Sequence, residues 1–142
     1  MIRRWEKKDL AAIAEIEAEC FSDAWSENML LSSFSQHGFT GFVYEEDGRV
    51  VGYVGASYVF ETADILLVAV KEAYRRRGIA ESLIRSLFSA VADLGITRIL
   101  LEVRKSNFPA KECYNKLGFV EIAQRARYYA DGEDAVIMEK SL

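Results

Sequence analysis

Histidine, proline and cysteine are nearly missing: the chain has one His, one Pro and two Cys among 142 residues. A lone His37 excludes a multi-histidine metal centre and a two-histidine proton relay, so no metal is expected. Cys20 and Cys113 stand far apart with no C-x-x-C. That excludes a disulfide scaffold or a thiolate zinc site and fits reduced thiols in a cytoplasm. One Pro and nine Gly exclude a collagen-like or low-complexity chain. Long apolar runs are absent too. The longest, Ile65 to Val70, falls far short of the ~20 residues that span a bilayer. The charged start Met1-Ile2-Arg3-Arg4 is followed by no apolar block of the kind a secretory signal carries. No membrane is expected.

What is present suits a globular domain. Hydrophobic residues make up 51% and charged residues 28%, enough to bury a core, and the length fits one domain over 1–142. The net charge of −4 is unevenly spread. Residues 1–70 carry 5 Lys and Arg against 12 Asp and Glu, whereas residues 71–142 carry 13 against 10. An acidic first half suits a cationic substrate and a basic second half an anionic one, although both also read as solvated surface. An acidic domain without interleaved surface aromatics argues against nucleic acid.

The patterning predicts the order βααβββαβαββ. A short strand at Ile2–Trp5 precedes a helix capped by Asp9 and carrying Leu10, Ile13, Ile16 and Cys20. Ser26 caps a second helix. Phe39–Glu45 and Arg49–Phe60 are strands joined at Asp47-Gly48, a strong hairpin signal. Ile65–Val70 is a nearly continuous apolar strand, as burial on both faces requires. Ile79, Leu83, Ile84, Leu87, Phe88, Val91 and Leu94 fit one helix face, with Gly95 just beyond it. Ile96–Val103 is a strand. Asn107 caps a last helix with Pro109 in its first turn and Gly118 past its end. Phe119–Tyr129 and Asp134–Met138 are the final strands. The expected fold class is α/β (α+β), a mixed, mostly antiparallel sheet of about seven strands with helices on both faces.

Two segments carry candidate chemistry. Arg75-Arg76-Arg77-Gly78-Ile79-Ala80 lies between a strand and a helix. A helix start offers free backbone N–H groups and a positive dipole end, to which phosphate oxygens bind. Gly78 and Ala80 leave room for a close approach. The alternative is a basic solvated turn. The second segment contains Glu102, inside an otherwise apolar strand, on the face shared with Leu100 and Arg104. A carboxylate there is explained by pairing with Arg104 or a neighbouring strand, or by catalysis. Tyr114, twelve residues on, reads by itself as amphipathic core, and Cys113 has no histidine to activate it.

These residues match a family. Val68-Ala69-Val70 with Tyr74-Arg75-Arg76-Arg77-Gly78-Ile79-Ala80 resembles motif A of the GCN5-related N-acetyltransferases (GNAT). The fixed positions of its pattern, Arg/Gln-x-x-Gly-x-Gly/Ala, are filled by Arg75, Gly78 and Ala80. Four segments together look like the RimI-type branch, whose members acetylate the N-terminal amine of a small-subunit ribosomal protein. They are Phe21-x-x-x-Trp25-Ser26, Leu101-Glu102-Val103-Arg104-x-Ser106-Asn107, Tyr114-x-x-Leu117-Gly118-Phe119 and Tyr128-Tyr129-x-Asp131-Gly132. The chain departs from many relatives at Ala24, where they have Pro, and in a short turn after Tyr129.

The resemblance implies acetyl-CoA as donor. Its diphosphate would lie on the amides of Arg76, Arg77, Gly78, Ile79, Ala80 and Glu81, and its pantetheine arm along Val68, Ala69 and Val70. Asn107 matches a further cofactor contact, Glu102 the general base and Tyr114 the general acid. It also implies a cytoplasmic enzyme, a monomer or weak homodimer. Two other readings share the cofactor half: acetylation of a small amine such as a polyamine or amino sugar, and a non-catalytic acetyl-CoA-binding module.

Overall fold

Seven strands and four helices follow one another in the expected order in the computed structural model, which describes all 142 residues. They are β1 (Ile2–Arg4), α1 (Leu10–Cys20), α2 (Glu27–Phe34), β2 (Phe39–Glu46), β3 (Arg49–Val59), β4 (Thr62–Val70), α3 (Ile79–Asp93), β5 (Arg98–Arg104), α4 (Phe108–Lys116), β6 (Val120–Arg125) and β7 (Ala135–Ser141). The strands form one sheet in the order β1-β2-β3-β4-β5-β7-β6. Only β4 and β5 run parallel; every other neighbouring pair is antiparallel. The β2–β3 hairpin turns at Asp47 (φ 52°) and Gly48 (φ 76°). Two successive left-handed residues give the turn whose twist matches a strand pair.

Helices cover both faces. On one, Ile79, Leu83, Ile84, Leu87 and Val91 of α3 pack with Tyr114 and Leu117 against Val54, Ile99 and Leu101. Burying a side chain of this size stabilises by ~1.5–3 kcal/mol, so the 3.6-residue stripe alone fixes how α3 lies on the sheet. Leu94 is the exception to its expected place on that stripe. It follows the last helical residue and is 53% exposed, because Gly95 (φ 81°) turns the chain away there. On the other face α1 and α2 bring Leu10, Ile13, Ile16 and Leu30 onto Trp5, Val43, Tyr53 and Leu67. The Trp5 indole lies on Gly41, where an added Cβ would come within 2.7 Å of Nε1, and donates to the Phe42 and Val54 carbonyls.

Helix ends follow local chemistry in two cases and not in a third. Ser26 Oγ accepts from the Met29 amide at 3.2 Å, and Asn107 Oδ1 from the Ala110 amide at 3.3 Å, as N-caps do. Asp9, expected to cap α1, makes no capping bond to it. Its buried carboxylate accepts two bonds from Arg3 (2.8 and 2.9 Å) and one from the Glu6 amide. A guanidinium fork outcompetes a single amide for a buried carboxylate. The expected strand Phe119–Tyr129 is shorter, ending at Arg125, and β6 is the exposed sheet edge.

β4 and β5 part company in the middle of the sheet. They pair only at Thr62–Arg98, Ala63–Ile99 and Asp64–Leu100. From Ile65 onward β4 stays on β3, whose register slips between Gly55 and Ala56 and leaves Leu66 unpaired. An extra residue of this kind bends a strand. The edge of β4 that leaves β5 therefore faces an opening.

Candidate active site

Side chains from four elements and the loops between them meet in that opening. A cavity of about 550 Å³ is lined by Ile65 to Val68 of β4, Leu101 to Arg104 of β5, Asn107, Ala110 and Tyr114 at α4, and residues of α1 and the loop after it, including Cys20 and Trp25. Val68, Glu102, Asn107 and Tyr114, which the family resemblance singled out, line this one cavity. Ala69 and Val70 do not line this cavity. Val70 is buried under the α3 face and Ala69 packs toward α1.

Beyond Val70 comes the arginine loop. Arg76 (φ 64°) and Gly78 (φ 75°) are both left-handed. No backbone hydrogen bond is donated by the amides of Arg76 to Glu81; the first helical bond is Ser82 N–H to the Gly78 carbonyl. Nothing lies within 4 Å of where a Gly78 Cβ would stand. Consecutive free amides at a helix start make a concave, anion-attracting cradle. The three arginine side chains behave differently. Arg75 folds back, its Nε donating to the Val70 carbonyl at 3.0 Å and Nη2 touching Cys20 Sγ at 3.4 Å. Arg77 pairs with Glu46 at 2.6 Å and lies over the Tyr74 ring. Arg76 makes neither a side-chain hydrogen bond nor an ion pair. Two arginines brace the loop, and the third is left to meet an anion.

Glu102 stands at the other end. Its side chain is 33% exposed, and Oε1 accepts from Arg125 of β6 at 3.2 Å. Pairing with Arg104, one of the expected explanations, does not occur. Arg104 turns to Asp131 (2.9 Å), Glu133 (3.2 Å) and Asp23 (3.7 Å), with the Tyr129 ring 4.0 Å from its guanidinium carbon. It thereby holds the β6–β7 loop and the α1–α2 loop on either side of the cavity. Tyr114 is buried, its ring edge-on to Phe119. No buried side-chain oxygen or nitrogen lacks a hydrogen-bond partner, and no partner within the protein takes the Tyr114 hydroxyl, so that oxygen reaches the cavity. Burial pushes its pKa well above the ordinary tyrosine value, with Cys113 adding to the shift. The proton therefore stays on oxygen at neutral pH.

A second cavity, about 780 Å³, adjoins the first and shares Glu102, Trp25 and Tyr129 with it. Asp23, Trp25, Asp64, Tyr128 and Tyr129 line it. Burial and the Glu102 carboxylate push the Asp64 carboxyl up, and Arg98 opposes them. The neighbouring Glu102 carboxylate, and burial after it, push the Tyr128 hydroxyl up. Sequence reasoning did not single out Asp64 or Arg125. Asp64 stands just before the apolar run Ile65–Val70, outside the strand the sequence suggests, and Arg125 lies in an exposed strand, so neither gave a signal.

Comparison with known proteins settles the family. The model of the acetyltransferase (GNAT) family matches residues 10–119. The chain belongs to this family. An uncharacterized N-acetyltransferase of Methanocaldococcus jannaschii is 36% identical over 141 residues, covering 99% of this chain and 90% of that protein. The [ribosomal protein bS18]-alanine N-acetyltransferase of Escherichia coli K12 is 32% identical, covering 94% and 91%. The crystal structure of the ribosomal-protein-S18-alanine N-acetyltransferase from Escherichia coli superposes with a TM-score of 0.92 at 31% identity, covering 99% of this chain and 92% of that one. The chain is a GNAT-type N-acetyltransferase, and its mixed seven-stranded sheet is the GNAT fold.

Proposed function

We propose that this protein transfers an acetyl group from acetyl-CoA to the α-amine of a ribosomal-protein N-terminus. One observation carries the reading: Glu102 and the Tyr114 hydroxyl face one cavity opened by the parting of β4 from β5, and the chain that leaves β4 presents the free amides of Arg76 to Glu81. The similarity to S18-alanine acetyltransferases supports the class of acceptor.

The residues fit the coenzyme. The amides of Arg76 to Glu81, with the unpaired Arg76, would hold its diphosphate. The free edge of β4 at Val68 to Val70, with Asn107, would hold the pantetheine arm. Bound acetyl-CoA supplies an activated thioester. An α-amine has a pKa of ~7.7–8.0, so much of it is protonated and unreactive at neutral pH. Glu102 takes that proton, directly or through water, and Tyr114 returns one to the sulfur that departs. Backbone N–H groups of β4 favour the thioester oxygen as negative charge develops on it. No residue is acylated, so Cys113 has no part. The second cavity, with its carboxylates and aromatic rings, receives the acceptor from the side opposite the coenzyme. A ribosomal acceptor places the reaction in the cytoplasm; no helix is long and apolar enough to cross a membrane.

The test is incubation with acetyl-CoA and peptides beginning with the mature N-termini of ribosomal proteins, alongside polyamines and amino sugars, followed by mass spectrometry. Acetylated peptide α-amine is the expected product. Exclusive modification of a small amine, or coenzyme binding without turnover on any amine, would replace this reading.

A further inference from the structure

A cation of the protein's own already occupies the position an acceptor ammonium needs. The Arg125 guanidinium donates to Glu102 Oε1 at 3.2 Å, and its carbon lies 4.5 Å from the centre of the Tyr128 ring. Those are the two attractions, carboxylate and aromatic face, by which a primary ammonium would be bound. Arg125 makes no other side-chain hydrogen bond and is 54% exposed at the end of the edge strand β6. Neither of the other carboxylates near Glu102 meets Arg125. Asp23 is drawn to Arg104, and Asp64 has no ion-pair partner. Without Arg125, Glu102 and Asp64 would stand near each other with only Arg98 to offset Asp64.

We propose that Arg125 is a specificity-determining residue, a built-in stand-in for the acceptor's ammonium that the acceptor must displace from Glu102 and Tyr128. A guanidinium cannot be deprotonated in a protein, so it leaves only by moving. Exposed ion pairs are worth little, so a cationic acceptor can move it. An uncharged N-terminus has nothing to offer Glu102 in exchange and is turned away. Arg125 thereby pairs with the carboxylate until a cationic amine arrives. This inference rests on the reading that the acceptor amine meets Glu102.

The test measures binding rather than turnover. Protein saturated with CoA is titrated calorimetrically with an alanine-first hexapeptide and with its N-acetylated twin, for the wild type, Arg125→Gln and Arg125→Lys. Arg125→Gln is expected to bind the free-amine peptide about five-fold or more tightly than the wild type, leave the acetylated twin unchanged and keep the wild-type melting temperature. Arg125→Lys, which restores a cation, is expected to lose that gain. Unchanged or weakened binding of the free-amine peptide by Arg125→Gln overturns the inference, as does an equal gain for both peptides. Turnover of Glu102→Gln tests the base separately: full activity there removes the catalytic role and leaves the titration to decide Arg125. Binding of neither peptide by any of the proteins sinks the acceptor reading and this inference together.

Discussion

The Trp25 amide donates to Glu17 Oε1 at 3.1 Å, which ties the loop after α1 to a carboxylate in the core. The other carboxylate oxygen accepts from the Tyr53 hydroxyl, and both Glu17 and Tyr53 are almost completely buried. Trp25 lines both cavities, so one buried carboxylate sets the wall against which an acceptor would rest. Glu17→Ala leaves the Tyr53 hydroxyl buried and unpaired, at a cost of ~1–3 kcal/mol. It is expected to lower the melting temperature and raise the acceptor KM several-fold, with the acetyl-CoA KM unchanged. Steady-state kinetics in each substrate separate these effects.

Glu102→Gln removes the proposed base while keeping the side chain's size. A loss of ~10²-fold or more in kcat/KM near neutral pH is expected, since general-base help is typically worth ~10²–10⁴-fold. Coenzyme affinity should be retained. Near-wild-type turnover would exclude Glu102 as the base.

Tyr114→Phe deletes one oxygen that has no partner inside the protein, so the packing against Phe119 survives. A fall in kcat on the order of 10²-fold with an unchanged melting temperature is expected. An unchanged kcat across pH would leave the tyrosine a packing residue.

Gly78→Ala tests the cradle. The new methyl meets no atom within 4 Å, so its cost comes from a left-handed backbone, ~1–2 kcal/mol. The acetyl-CoA KM should rise while the acceptor KM stays constant. A rise in the acceptor KM alone would contradict the placement of the coenzyme.

The Arg3–Asp9 pair makes stability depend on pH. Burial pushes the Asp9 carboxyl up, but the Arg3 guanidinium and the Glu6 amide outweigh it and hold the carboxyl below its ordinary 3.8. A carboxyl lowered by folding adds stability above its unfolded value, and that stability disappears as pH falls through the folded value. Asp9→Asn is therefore expected to melt earlier than the wild type at neutral pH. The gap should close in acid well below 3.8. A gap independent of pH would show that the charge of Asp9 is immaterial.

Local features were legible in the chain. The stripe of α3, the caps Ser26 and Asn107, and the Asp47-Gly48 hairpin each depend on neighbours a few residues away, and each stands where the pattern placed it. The Asp9 contact was misread because its partner, Arg3, competes across a turn that residue spacing does not describe. The partner of Glu102 was hidden for a different reason. Arg125 reaches it across β7, and the strand order β5-β7-β6 inverts the chain order, so 23 residues of sequence become one row of side chains. Asp23, Asp64 and Tyr129 likewise come from three separate segments, and only the assembled fold makes them neighbours.

The gap between β4 and β5 is written in main-chain register: three bridged pairs, then a residue that has no opposite number. Side chains furnish the gap but do not hold it open. Mutation can therefore refurbish the walls, exchanging one clientele of amines for another, while the doorway itself stays put. The opening thus belongs to the backbone, and its lining to the side chains.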